Sequence, residues 1–214
     1  MTSITPLSSP TTNAVAQPKS PHQRTVILGS TSAYRRELLS RLRIPFSVEA
    51  PEVDETPLAG ELPLALATRL ALAKARAVAH KHPESVVIGS DQVADLAGLS
   101  LGKPGNFEQA VLQLRQMRGN TVVFHTALAV VCLATGFEQQ DVASVQVQFR
   151  DLSDAEIESY LLAETPYDCA GSAKSEGLGI ALLASITNDD PTALVGLPLI
   201  RTCHMLRAAG VKLL

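Results

Sequence analysis

Apolar and polar positions along the chain come in blocks that read alternately as strand and helix. Thr25–Leu28 is a short apolar run and predicts a strand, followed by a helix over 33–43. A second strand at Phe46–Glu49 gives way to a loop with Pro51 and Pro57. Ala67, Leu70, Ala71, Ala77 and Val78 then recur at the spacing of an amphipathic helix over 63–81. His80, Lys81 and His82 lie in its last turn, where cations suit the helix dipole, and Pro83 stops it. The unbroken run Ser85–Gly89 predicts a buried strand, and Gly98 the turn of a small hairpin. A helix over 106–118 ends at Gly119, and Val122–Ala134 and Val142–Phe149 form two long strands joined across Thr135-Gly136. Ser153 and Glu156 have capping-box spacing and open a helix to about 163; a last helix runs from Gly196–Pro198 to Gly210. The pattern predicts an α/β fold with a mixed central sheet flanked by helices, and shows no internal repeat.

Residues 1–24 are rich in Ser, Thr, Pro, Asn and Gln without apolar periodicity, which predicts a disordered extension ahead of a single domain over 25–214. The chain has 214 residues and is 46% hydrophobic, enough for a large core. A net charge of -3 and the absence of tryptophan argue against a nucleic-acid binder, so any polyanion must meet a local basic cluster. No apolar run is long enough to span a bilayer, and nothing resembles a secretory leader. Cys132, Cys169 and Cys203 are odd in number, far apart and without a CxxC pair, which fits a reducing, cytoplasmic setting.

The most informative chemistry sits where the first strand meets the first helix. Ser30, Thr31 and Ser32 are followed by Arg35 and Arg36 in the first helical turn. A helix N-terminus already carries about half a positive charge, so acidic residues belong there and an arginine costs roughly 0.3–1 kcal/mol. A bound phosphate reverses that sign. Asp91 follows the apolar strand, where α/β proteins place ligands; alone it would equally serve to cap a loop. Lys74 falls inside the apolar stripe of its helix, so it either snorkels outward or points into a cleft. Asp54 and Glu55 are adjacent loop carboxylates, hard oxygen ligands of the kind that Mg²⁺ or Mn²⁺ uses beside phosphates. Lys103 lies in a Gly-Lys-Pro turn and Lys174 in a hydroxyl-rich segment. Together these residues make a kit for holding phosphate with a divalent cation. There is no P-loop, Rossmann fingerprint, HExxH or GxSxG, and the histidines show no metal spacing.

The segments ILGSTSAYRRELL, APEVDETP, LALAKARAVA, VVIGSDQV, LGKP, CAGSAKSEGLG and LVGLPL, in this order, resemble the Maf family of nucleotide pyrophosphatases from about Val26 onward. The resemblance implies two lobes with a cleft between them, and cleavage of nucleoside triphosphates to monophosphate and pyrophosphate with Mg²⁺ or Mn²⁺. It implies Asp91 as proton acceptor, with Ser30, Ser32, Arg35, Lys74, Lys103 and Lys174 lining the phosphate cleft. Asp54 or Glu55 would help to hold the metal. Tyr34, Gln92 and Glu176 resemble the branch that prefers 7-methyl-GTP rather than dTTP and UTP. An aromatic face and a carboxylate suit the positive ring of a methylated guanine. The family usually has proline where this chain has Ala33, and alanine where it has Gly29, which implies a less firmly organised helix start. A homodimer is implied, with a small-molecule nucleotide as ligand. The rival readings are a dTTP/UTP pyrophosphatase and a non-catalytic nucleotide sensor in cell-division control. A pure sensor would not need a base at Asp91.

Overall fold

Seven strands form one sheet in the order β2-β1-β3-β5-β6-β7, with β4 paired to β3. In chain order these are β1 (Val26–Gly29), β2 (Phe46–Glu49), β3 (Val86–Leu96), β4 (Leu99–Leu101), β5 (Thr121–Cys132), β6 (Phe137–Phe149) and β7 (Leu183–Thr187). The helices are α1 (Ala33–Ser40), α2 (Pro63–Lys81), α3 (Phe107–Met117), α4 (Asp154–Glu164) and α5 (Leu199–Ala208). The computed structural model describes residues 24–214, so the extension expected over 1–24 lies, apart from Arg24, outside the described residues. β1 pairs with β2 and β3 in parallel; every other pairing is antiparallel, so the sheet is mixed as predicted.

Alternation along the central strands sorts the core into three clusters. On one face Val87, Val93, Ala127, Ala129 and Val131 pack under α2 with Leu66, Leu70 and Val78. On the other, Val86, Ile88, Leu128 and Val130 pack under α1 and α5 through Leu38, Leu39, Met205 and Leu206. Farther along that face, Ala94, Phe124, Val145 and Val147 pack under α3 and α4 through Leu114, Met117, Ile157 and Leu161. Ser90, Gln92 and Thr126 lie between the last two clusters and divide that face into two lobes.

Four expectations need correction; the strand predicted over Val142–Phe149 begins at Phe137, because β6 pairs with β5 as far as Cys132. The strand predicted to end at Gly89 continues to Leu96, because β5 pairs with it from Val87 to Asp95. Asp91 therefore lies inside a strand, not beyond its end. Tertiary pairing overrides the polar residues that interrupt the apolar run. The helix predicted over 33–43 stops at Ser40, and Arg43 has a left-handed backbone, φ 54°. β7 has no counterpart in the predicted elements: it is short, mostly exposed and pairs only with the end of β6.

Gly89 lets α2 rest directly on the sheet. A Cβ there would stand 2.3 Å from the Ala71 carbonyl oxygen and 2.5 Å from the Ala75 nitrogen, both backbone atoms that cannot yield cheaply. At Gly29 the nearest approach would be 3.3 Å. Gly89→Ala is therefore expected to force α2 off the sheet and cost about 1–3 kcal/mol, as overpacking does. Gly29→Ala should cost much less. Thermal unfolding of the two variants checks this; equal melting temperatures would refute the account.

Candidate active site

β3 has one edge shared by two strands. β1 covers it from Val86 to Gly89, and β4 from Ala94 to Leu96. Between them Ser90–Val93 have no strand partner on that side. Asp91 projects from this window on the α2 face, and Ser90 and Gln92 on the other. α1 starts where β1 ends, so its N-terminus borders the same window.

At the helix start Ser30 Oγ accepts the Ser32 N–H at 3.2 Å, and Ser32 Oγ caps the helix by accepting the Arg35 N–H at 3.4 Å. The first turn holds no acidic residue. Arg35 Nε donates to the Gly196 carbonyl at 2.8 Å, which turns its guanidinium inward, whereas Arg36 is exposed. Burial draws the Arg35 pKa down, while Asp91 and Glu55 draw it up. Ala33 occupies the first helical position and the helix forms without the proline.

Lys74 does not snorkel outward. Its side chain is 7% exposed, and Nζ donates to Asp91 Oδ1 at 2.7 Å and lies 2.8 Å from Glu55 Oε1. Asp91 Oδ2 has no hydrogen-bond partner among the described residues. Asp54 is engaged locally and is not among the carboxylates at Lys74: its Oδ1 accepts the Thr56 N–H at 2.9 Å. Glu55 and Asp91 are thus the two carboxylates that converge. They fit a hard divalent cation, which is often held by one or two carboxylates while phosphate oxygens and water complete its shell. Among the described residues no group of three or more His, Cys, Asp or Glu could hold such an ion unaided.

The far side of the window is organised around Tyr34 and Lys174. Lys174 Nζ lies 5.9 Å from the Tyr34 ring centroid and 2.8 Å from Glu164 Oε1. Gln92 Nε2 donates to Thr126 Oγ1 and to the Ala193 and Leu194 carbonyls at 2.9–3.1 Å, while its Oε1 has no partner among the described residues. Glu176 and Lys103 are exposed. The Lys103 turn is tied to the segment before Lys174, because the Gly102 carbonyl accepts the Gly171 N–H and Gln113 Nε2.

Several positioning residues were missed at the level of sequence. Glu164 holds Lys174 and also accepts the Leu178 N–H at 2.7 Å, and the Tyr160 phenol oxygen accepts the Lys174 backbone N–H at 3.0 Å. A Cβ at Gly177 would stand 2.7 Å from the Glu164 carboxylate, so the glycine makes room for it. Ser90 Oγ donates to the Gly196 and Ala127 carbonyls, and buried Asp190 accepts the Arg201 N–H at the start of α5. LVGLPL was recognisable, but the work of its Gly196 is done by a carbonyl, which residue type does not reveal. Arg69 donates to both Glu61 oxygens and to the Thr56 carbonyl, holding the loop that carries Glu55.

The chain belongs to the Maf-like protein family: the family's model matches residues 25–209. It is 72% identical over 194 residues to a protein of Albidiferax ferrireducens named 7-methyl-GTP pyrophosphatase, covering 91% of this chain and 98% of that one. Proteins of the same name from Polaromonas sp. and Methylobacillus flagellatus are 68% and 58% identical, covering 90% and 88% of this chain and 88% and 98% of theirs.

The Glu61–Arg69 contact predicts a pH dependence. Arg69 and the Leu58 N–H depress the Glu61 pKa to about 2. A group depressed in the folded state stabilises above its unfolded pKa, about 4.3, and that stabilisation fades as pH falls towards 2. Glu61→Gln should therefore lower stability at pH 6, with the difference from wild type closing between about pH 4 and pH 2. Denaturant unfolding across that range is the measurement; a constant difference would refute it.

Proposed function

We propose that this protein is a nucleoside triphosphate pyrophosphatase that cleaves 7-methyl-GTP to 7-methyl-GMP and pyrophosphate. The observation that carries this reading is the meeting of Asp91, Lys74 and Glu55 at an open window of the sheet, beside a helix start without acidic residues. The names of the relatives support the substrate. The triphosphate would lie along the window, with its anionic oxygens facing the α1 N-terminus, Ser30, Ser32, Arg35 and the lysines Lys74, Lys103 and Lys174. Asp91 has one oxygen tied to Lys74, which fixes the carboxylate; the other is free to accept a proton from water. The water oxygen bonds to the α-phosphorus as the bond from that phosphorus to the bridging oxygen breaks. Pyrophosphate leaves and the proton passes to Asp91. Glu55 would help to hold a divalent cation, Mg²⁺ or Mn²⁺, which would supply charge neutralisation to the phosphates. Tyr34, Gln92 and Glu176 would face the base.

Residues 25–214 are read as one domain carrying the whole site. Among its described residues no helix is long and apolar enough to cross a membrane. Cytoplasmic location, a free nucleotide as ligand and a homodimeric state belong to the same reading.

Asp91→Asn is expected to lower kcat by about 10²-fold or more, the worth of a general base, with nucleotide binding by calorimetry close to wild type. A near-wild-type kcat would remove Asp91 from that role. Chromatography of products from GTP, 7-methyl-GTP, dTTP, UTP and ITP tests the reaction. Monophosphate and pyrophosphate, fastest from 7-methyl-GTP, are expected. Preference for dTTP or UTP would keep the reaction and overturn the substrate; binding without turnover would favour a sensor.

A further inference from the structure

We propose that Ser144, His125 and Asp95 form a second reactive site, in which Ser144 is a nucleophile that takes the acyl group of a small, uncharged ester. None of the three residues belongs to the set assigned to nucleotide cleavage.

Three neighbouring strands bring the residues together. In the register of the sheet His125 of β5 stands opposite Ser144 of β6 on one side and opposite Val93 of β3 on the other, with Asp95 two residues farther along β3. Opposed side chains share a face, here the α2 face to which Val93 belongs. The three positions are separated by 30 and 19 residues in sequence, so only the sheet pairs them.

Their hydrogen bonds run in one line. The Gly98 N–H donates to Asp95 Oδ1 at 2.6 Å and fixes the carboxylate at the turn between β3 and β4. Asp95 Oδ2 lies 3.3 Å from His125 Nε2, and His125 Nδ1 lies 2.9 Å from Ser144 Oγ. A carboxylate only accepts, so Nε2 carries the ring hydrogen and Nδ1 is left to accept from the Ser144 hydroxyl. Acyl transfer to a serine needs this order: a carboxylate that orients an imidazole, and an imidazole that draws the proton from a hydroxyl.

The two ends of the line differ in exposure as that role requires. His125 is buried, whereas Ser144 is exposed. β7 ends at Thr187, opposite Gln146, so no strand covers Ser144 from that side. Ser144 lines a cavity of about 420 Å³ together with Gln146, Asn188 and Arg201. The Arg201 guanidinium is held by Asp189 at 3.0 and 3.1 Å, with Asp141 at 3.4 Å and Asp190 at 3.9 Å. Three carboxylates on one cation leave no positive charge over for an anion, so the cavity suits an uncharged acyl group. The Gln146 and Asn188 amides are the donors in its wall for the acyl carbonyl.

In the reaction Ser144 Oγ bonds to the acyl carbon as its proton passes to His125 Nδ1. The bond from that carbon to the ester oxygen breaks, and the leaving alcohol takes the proton. Water then adds to the acyl-serine with His125 as base; the acid leaves and the hydroxyl is restored.

The test uses p-nitrophenyl acetate on the full chain, reading p-nitrophenolate release and mapping acetyl groups by peptide mass spectrometry. Acetyl on Ser144 is expected, with initial release about tenfold or more slower in Ser144→Ala, which removes only an exposed hydroxyl. In Asp95→Asn the amide oxygen keeps the Gly98 contact and the amide nitrogen faces Nε2. That forces the ring hydrogen onto Nδ1, so acetylation of Ser144 should also fall about tenfold or more. Should Asp95→Asn fail to fold, as thermal unfolding would show, His125→Asn takes its place with the same expected loss. Acetyl groups on lysines alone, or equal release by wild type and Ser144→Ala, overturns the proposal. Acetylation of Ser144 at the wild-type rate in a folded Asp95 or His125 variant overturns it as well, because the hydroxyl would then react without the relay.

Discussion

The Lys74 ammonium, buried between Asp91 and Glu55, is the interaction on which the rest of the site depends. An unpaired ammonium in an apolar stripe would be expelled or would lose its proton. Two carboxylates at 2.7 and 2.8 Å make its burial tolerable, but only if α2 lies close enough for the side chain to reach β3. Gly89 allows that approach by leaving the Ala71 and Ala75 backbone room against the strand. The fold and the proposed chemistry therefore share one contact. Removing the ammonium would leave two carboxylates facing each other; removing Asp91 would leave a buried charge with only the exposed Glu55 as partner.

A second constraint is the interrupted edge of β3. A strand edge without a partner leaves backbone groups exposed, and proteins usually cover it. Here β1 ends and β4 begins with a gap at Ser90–Val93, and a bound molecule can approach the sheet only through such a gap. The opposite face of the gap is braced by the loop before α5. Its carbonyls at Ala193, Leu194 and Gly196 receive donors from Gln92, Thr126, Ser90 and Arg35. Three side chains at the window, and Thr126 beside them on β5, are thereby oriented by one stretch of backbone.

The parts of this arrangement that residue type and spacing determine were legible in the sequence. β2 and α2 have the predicted bounds, Ser153 caps the helix it was expected to open, and Lys74 stood out as a charge in an apolar stripe. The choice between snorkelling and facing a cleft was not legible, because it turns on Gly89, and a glycine in an apolar run does not announce which backbone lies against it. The reach of β3 past Asp91 depends on β5, some forty residues on. The roles of Glu164 and Gly196 were not legible, for different reasons. The first is an ordinary charge at a helix end until the chain returns at Lys174, and the second acts through a carbonyl that every residue possesses. Asp54 and Glu55 were indistinguishable as neighbours in sequence; only the turn at Thr56 separates the one that faces Lys74 from the one that does not.

The two ends of the cleft are linked through α1. Its N-terminus turns Arg35 inward and presents Tyr34 one residue earlier, so the helix contributes to both ends. A triphosphate held by the α1 start and a base stacked on Tyr34 would be registered against the same rigid element. The distance from the base to the scissile phosphorus then follows from the helix rather than from the mobility of a loop. Arg35 is held by Gly196 and Lys174 by Glu164, so neither cation needs the ligand to define its position. In the proposed reaction such preorganisation would favour the transition state, because little reorientation would remain to be made when charge develops on the phosphate oxygens. It also explains why the proline usual before Tyr34 can be absent: the Ser32 cap and the Gly196 tether constrain the helix start from both sides.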